Sequence, residues 1–165
     1  MSLETNLEWY KQISPKNYAK LDAICTELSI QDSQWPEAAC YFASIIMYKI
    51  IPNLNIMAGK YGKANHMWVY DLAHKCYIDI TLSQFRQDVP PIVILKYDQL
   101  HLFPYRLTTI EEWNELFVKD HPLFDFSDNF EYLPSYKIKD MMRIIYRKLY
   151  KGGTKKKIIR STHYN

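Results

Sequence analysis

Apolar residues near the start of the chain recur at helical spacing. Ser14 precedes Pro15, and a serine N-cap followed by proline at the first helical position is a common helix start. The apolar positions that follow are Tyr18, Leu21, Ile24, Cys25 and Leu28. This spacing predicts a helix that runs to about Leu28.

A second helix is predicted to begin near Pro36 and to end before Pro52, because proline cannot continue a helix and disfavours helical backbone in the residue before it. Its apolar residues cover more than one face: Ala39, Cys40, Phe42, Ala43, Ile46, Met47 and Ile50. A helix that is apolar nearly all round is typical of the protein interior.

After Pro52 the pattern changes to short segments rich in aromatic and branched residues. Residues 54–61, 66–71 and 75–80 predict an antiparallel meander of three strands. A helical turn over 81–85 and a further strand over 91–96 follow. Helices are predicted at 108–118 and 137–150, whereas 121–134 has no clear pattern. Helices, then a meander, then helices indicate an α+β domain with N-terminal helices packed on a small antiparallel sheet.

The composition fits one domain over residues 1–150 and a basic, flexible tail over 151–165. The chain has 165 residues, 15% of them aromatic, which is enough for one hydrophobic core. It has no apolar run long enough for a transmembrane helix and no basic start typical of a signal peptide. Three cysteines without metal-ligand spacing predict reduced thiols. We therefore expect a cytoplasmic protein, or one exported without a classical signal peptide.

Three residues form a candidate catalytic set. Cys40 falls near the start of the buried helix, where unpaired N–H groups favour a thiolate and can also stabilise an oxyanion. His66 begins a strand and is a candidate base. Asp79 lies in the next strand, and it comes beside His66 if the chain turns near 72–74. Each residue also has an ordinary structural interpretation: Cys40 as core, His66 as a backbone-satisfied histidine, and Asp79 as a cap of the turn at 81–85.

The stretch 35–85 resembles the transglutaminase-like, papain-like cysteine hydrolases of bacteria. The residues that carry the resemblance are Cys40, Ala43-Ser44, His66-Met67-Trp68, Asp79-Ile80-Thr81 and Gln84-Phe85. The resemblance implies a papain-like core and a Cys40–His66–Asp79 triad. It also suggests Gln34, six residues before the cysteine, as an oxyanion donor. Trp35 and Trp68 are then candidates for the wall of a substrate cleft, or else core residues.

The function that follows is hydrolysis or acyl transfer at an amide or ester bond, without metal or cofactor. Peptidase, deamidase, amidase and transglutaminase all fit, with a peptide or protein as substrate, and family habit suggests a bacterial effector or toxin. One alternative is a non-catalytic interaction module on the same fold. Another is a binder of nucleic acid or an acidic membrane surface through the basic tail. A zinc site at His74, Cys76 and Asp79 is a further alternative, although the spacing of these residues is unusual for zinc.

Overall fold

The computed structural model describes residues 2–31, 40–107 and 136–150. In chain order the helices and strands are α1 (Leu3–Ile13), α2 (Pro15–Gln31), α3 (Cys40–Ile50), β1 (Leu54–Tyr61), β2 (Ala64–Asp71), β3 (Cys76–Asp79), β4 (Val93–Lys96), β5 (Tyr105–Leu107) and α4 (Tyr136–Leu149). Two 3₁₀ segments, Leu82–Gln84 and Tyr97–Leu102, lie on either side of β4. Among the described helices, none is long and apolar enough to cross a membrane.

The predicted α+β fold is confirmed, and most of the predicted elements are present. The helix that starts at Pro15, the three-stranded meander, the turn after Asp79 and the C-terminal helix all occur close to their predicted bounds. The first helix, α1, was not predicted from its sequence; the Ser2 hydroxyl caps it by accepting from the N–H of Thr5. Strand β5 was also missed. The predicted helix at 108–118, the stretch 121–134 and the tail at 151–165 lie outside the described residues.

The five strands form one antiparallel sheet in the order β4-β3-β2-β1-β5. Hairpins join β1 to β2 and β2 to β3, whereas β5 returns to the opposite edge and pairs with β1. Helix α3 packs across β1 and β2, α1 packs on β4, and α4 packs on α2 and α3. The last strand among the described residues is therefore brought next to the first.

The sheet divides the described core into two apolar clusters. Met67 and Val69 of β2 face α3, whereas Trp68 and Tyr70 lie in the cluster on the opposite face. This alternation is what a strand requires, because successive side chains point to opposite faces. Ten of the eleven residues of α3 are buried, as expected for a helix that is apolar all round.

Asp71 anchors the N-terminal helix to the sheet. This buried carboxylate accepts from the Tyr10 hydroxyl at 2.7 Å, from the Nδ1 of His74 at 2.8 Å and from the N–H groups of Ala73 and His74 at 3.0 Å. The Asn17 side chain donates to the Tyr10 hydroxyl and extends the network into α2. A buried carboxylate is tolerated only when it is paired in this way.

Replacing Asp71 with asparagine should lower the free energy of unfolding by about 2–3 kcal/mol, because an amide nitrogen would face at least one of these donors. Urea unfolding at neutral pH measures the change. The matched control is Asp88→Asn, which removes the same charge from an exposed position and should change stability by less than about 0.5 kcal/mol. Equal effects of the two substitutions would contradict the anchoring role of Asp71.

Candidate active site

Cys40, His66 and Asp79 come together in the structure. Cys40 is the first described residue of α3, and its thiol lies close enough to the His66 imidazole to help raise the pKa of that ring. The Nε2 of His66 lies 2.6 Å from the Oδ2 of Asp79. All three side chains are buried, with exposed fractions of 3%, 0% and 3%. The sequence therefore identified three residues that lie in contact, a helix residue with two strand residues.

The register of the meander explains why Asp79 reaches His66. Strands β2 and β3 pair with Ile78 opposite Val69, and continuing this register by one residue sets Asp79 level with Trp68. His66 is two residues from Trp68, so it shares a sheet face with Asp79 and lies diagonal to it. Long side chains at diagonal positions of an antiparallel pair are within reach of each other.

Asp79 is fully occupied by donors from three other parts of the fold. Its Oδ2 accepts from His66 and, at 2.6 Å, from the Tyr105 hydroxyl of β5. Its Oδ1 accepts from the backbone N–H of Thr81 at 2.9 Å and from the Thr81 hydroxyl at 3.2 Å. Asp79 therefore bonds both to the His66 ring and to Thr81 at the start of the following turn. Thr81 itself occupies the N-cap position of that turn and no side chain caps it, so the interpretation of Asp79 as the cap is wrong.

The close approach of β5 to β1 makes the Tyr105 contact possible. Gly59 of β1 pairs with Leu107, and a Cβ at Gly59 would overlap the backbone carbonyl of Arg106 and approach the Trp68 ring. A glycine at this position lets the two strands and the indole pack together. The hydroxyl of Tyr105 can then reach the triad carboxylate.

Aromatic side chains surround the imidazole. Trp68 stacks on His66 with ring centroids 5.7 Å apart, and Phe85 meets it edge-on at 4.9 Å. Tyr61 and Tyr105 complete the surroundings. Trp68 is wholly buried, and its Nε1 has no hydrogen-bond partner among the described residues. Trp68 therefore packs in the core against the His66 ring, which is the second of the two interpretations that its sequence position allowed. Gln34 and Trp35, the other two expected substrate contacts, lie outside the described residues.

The pair of His66 and Asp79 favours the ionised form of both groups. Burial alone would lower the pKa of His66, but the charge and hydrogen bond of Asp79, with a smaller contribution from Cys40, raise that pKa to about 10. Burial would raise the pKa of Asp79, and its bonds with His66, Tyr105 and the backbone of Thr81 more than offset this, so the pKa lies below its usual value. Tyr105 stays a proton donor, because burial and the Asp79 carboxylate hold its pKa well above 10.

Two residues of the site were not assigned a role from sequence. Tyr105 gave no signal, because it lies 26 residues after Asp79 in a three-residue strand. Gln84 was noted only as part of a motif, yet its Nε2 lies 3.2 Å from the Nδ1 of His66 and 3.4 Å from the hydroxyl of Thr81. The only local sign of the Gln84 contacts was its position one helical turn after Thr81, which places the two side chains near each other.

The residues of the zinc alternative do not converge. His74 is bound to Asp71, and Asp79 is bound to His66. Cys76 faces the α3 side of the sheet, which is the side opposite to Asp79. In the part of the chain that the structure describes, no three His, Cys, Asp or Glu side chains are grouped as a metal site requires.

Comparison of the chain with models of known families, with curated proteins and with solved structures gives no match. The interpretation of the site therefore depends on its own geometry and chemistry.

The charge of His66 should make stability depend on pH. Because its folded pKa of about 10 exceeds the ordinary value of 6.5, its pairing contributes stability that is fully present below pH 6.5. That contribution is lost as the pH rises towards 10. The wild-type chain should therefore exceed His66→Gln in free energy of unfolding by a few kcal/mol at pH 6, and the difference should shrink steadily up to pH 10. Urea titrations across this range test the trend. His101→Gln, an exposed control, should give no such trend.

Proposed function

We propose that the protein is a cysteine-dependent hydrolase or acyltransferase that acts on an amide or ester bond, with Cys40 as nucleophile, His66 as base and Asp79 as the residue that orients the base. The observation that carries this proposal is that the His66 imidazole lies 2.6 Å from the Asp79 carboxylate and close to the Cys40 thiol. An activated cysteine needs a base within hydrogen-bond reach, and the base needs a third group to hold its ring.

The hydrogen bonds indicate which ring nitrogen acts as base. The Nε2 of His66 lies against a carboxylate oxygen, so it carries a hydrogen. Nδ1, which also lies 3.2 Å from the amide nitrogen of Gln84, is then the ring nitrogen that takes the proton of Cys40 or already holds it in an ion pair with the thiolate. The resulting thiolate attacks the carbonyl carbon of the substrate. His66 then returns the proton to the leaving amine or alcohol, and a thioester remains on Cys40. Water or an amine, deprotonated by His66, attacks the thioester and restores the free thiol.

The oxyanion of each tetrahedral intermediate needs hydrogen-bond donors. The backbone N–H of Cys40 and the side chain of Gln34 remain the donors expected from the sequence. A peptide or protein is the expected substrate, and the free thiols of all three cysteines fit a reducing compartment. Peptidase, deamidase, amidase and transglutaminase activities share these steps.

A non-catalytic interaction module is the second candidate, and the burial of Cys40 favours it. The sulfur belongs to the core cluster under α3, so a substrate reaches it only after the side chains around it move apart. A buried cysteine that serves only packing is inert. The two candidates therefore differ in the reactivity of one thiol.

Iodoacetamide labelling followed residue by residue with mass spectrometry separates them. If Cys40 is the nucleophile, it should react at pH 6 at least about tenfold faster than Cys25 and Cys76, and the advantage should disappear in His66→Ala. Cys25 and Cys76 are internal controls, since burial raises the pKa of Cys25 to about 12 and also raises that of Cys76. Cys40 labelling no faster than theirs would favour the interaction module.

Electrophilic peptide probes should label the wild-type chain at Cys40 and should fail to label Cys40→Ala. Asp79→Ala should retain the thiol and lose most of the labelling rate, because the imidazole loses its partner. Strong labelling of Cys40 that is indifferent to both His66 and Asp79 would mean an exposed thiol without a triad.

A further inference from the structure

The hydrogen-bonding positions of the Asp79 carboxylate are all in use. An ionised carboxylate accepts about four hydrogen bonds, two at each oxygen. The Oδ1 of Asp79 accepts from the backbone N–H and from the hydroxyl of Thr81. Its Oδ2 accepts from the Nε2 of His66 and from the Tyr105 hydroxyl, each at 2.6 Å. The imidazole of the candidate base therefore shares its acceptor oxygen with a phenol from another strand.

The shared oxygen affects which of the two groups holds the proton between Asp79 and His66. Each donor to Oδ2 stabilises the charged carboxylate and makes it a weaker base, and the Tyr105 bond is one of the causes that lower the pKa of Asp79. If the proton moved from Nε2 to Oδ2, that oxygen would lose its charge and would accept less strongly from Tyr105. The phenol itself stays protonated, because burial and the Asp79 charge hold its pKa well above 10.

The sheet holds the Tyr105 hydroxyl in place. Tyr105 pairs with Tyr61 of β1, and the N–H of Gly62 donates to the carbonyl of Pro104 at 2.8 Å just before this pair. The ring of Tyr105 packs against Trp68, with centroids 4.8 Å apart, and edge-on against Tyr61 at 5.0 Å. A donor fixed in this way is preorganised, so it stabilises the carboxylate without any rearrangement when the charge of the imidazole changes.

We propose that Tyr105 is a positioning residue of the candidate triad, whose hydroxyl keeps Asp79 ionised and thereby keeps a hydrogen on the Nε2 of His66. This inference rests on the proposed function, in which Nδ1 of the same ring exchanges a proton with Cys40. That exchange requires the Nε2 hydrogen to stay on the ring. If Asp79 took it, the neutral imidazole would carry its hydrogen on Nδ1 and would not accept one from the thiol.

The test must separate the Tyr105 hydroxyl from the other titratable and charged groups around Asp79 and His66. Those groups are Cys40 on α3, Tyr61 on β1 and Arg86, which lies near Tyr61 after the first 3₁₀ segment. Tyr105→Phe removes one oxygen atom and leaves all three groups in place. Tyr61→Phe is the matched control, because the Tyr61 ring contacts both Tyr105 and His66, whereas its hydroxyl is not among the four donors of Asp79.

The readout is the NMR resonance of the Nε2 hydrogen of His66 at pH 6 in a Cys40→Ala background, in which no reactivity is needed. Its loss in His66→Gln assigns it. Tyr105→Phe should move it downfield, because Oδ2 then serves one donor fewer and binds the Nε2 hydrogen more tightly. Replacement of Tyr105 by a ring-fluorinated tyrosine, which is a stronger donor of nearly the same shape, should move it upfield. Tyr61→Phe should leave it almost unchanged.

The carboxyl carbon of Asp79 gives a second measurement on the same variants. Its titration midpoint should rise by about one pH unit in Tyr105→Phe, because the charged form loses a hydrogen bond, and should stay in place in Tyr61→Phe. Equal changes in these two variants would overturn the proposal. Movement of the Nε2 hydrogen in the same direction by phenylalanine and by the fluorinated tyrosine would also overturn it, since disturbed packing would then be the cause.

Alkylation of Cys40 in the chain that retains this thiol distinguishes the present inference from the proposed function. Tyr105→Phe should move the acidic limb of the pH profile of alkylation to higher pH, because Asp79 then takes up its proton at higher pH. Inert Cys40 together with the expected NMR changes would reject the enzyme and keep the effect of Tyr105 on Asp79. A reactive Cys40 with unchanged NMR signals in Tyr105→Phe would keep the enzyme and reject the role of Tyr105.

Discussion

The buried carboxylate of Asp79 is the constraint around which this end of the fold is arranged. A carboxylate withdrawn from water must be matched by donors, and no single element supplies enough of them. Here β2 contributes the imidazole, β5 contributes a phenol, and the turn after β3 contributes a backbone N–H and a hydroxyl. The strands must be in register for these donors to converge, so the fold and the site stabilise each other.

The contact of His66 with the Asp79 carboxylate also depends on the packing of aromatic side chains around the imidazole. The ring lies between Trp68 and Phe85, which limit its rotation and exclude water. In that environment the electrostatic attraction between His66 and Asp79 is stronger than it would be in water, and it outweighs the cost of burying the charges. The same burial restricts access to Cys40. The close packing that excludes water from the His66–Asp79 pair also leaves the Cys40 side chain only 3% exposed.

Local patterns were enough to predict most of the described fold and to select three residues that lie close together in the candidate site. The periodicity of α2, α3 and the meander is carried by residues close in sequence, and the hairpin between β2 and β3 made the His66–Asp79 contact predictable. Tyr105 could not be predicted, because its contact depends on the pairing of β5 with β1 across more than forty residues. Gln84 was visible in the sequence, but its contact with Nδ1 depends on the direction of a 3₁₀ turn.

A second buried aspartate shows why an Asp–His pair is not in itself an active site. Asp71 repeats the bonding of Asp79: each accepts from the N–H two residues later, from a histidine nitrogen and from a tyrosine hydroxyl. His74, however, is partly exposed at the end of a turn. Burial, together with the negative carboxylate of Asp71, raises the pKa of the Cys76 thiol.

At Asp79 the neighbouring groups are different, because the imidazole that contacts the carboxylate also lies near the Cys40 thiol. A carboxylate next to Cys76 opposes the thiolate form of that residue. The two sites use the same residue types on neighbouring strands, and only one of them places its base against the thiol. The Asp71 and Asp79 clusters therefore differ in which charged group lies next to the cysteine: a carboxylate next to Cys76, and an imidazole next to Cys40. Composition and motif spacing do not predict this difference.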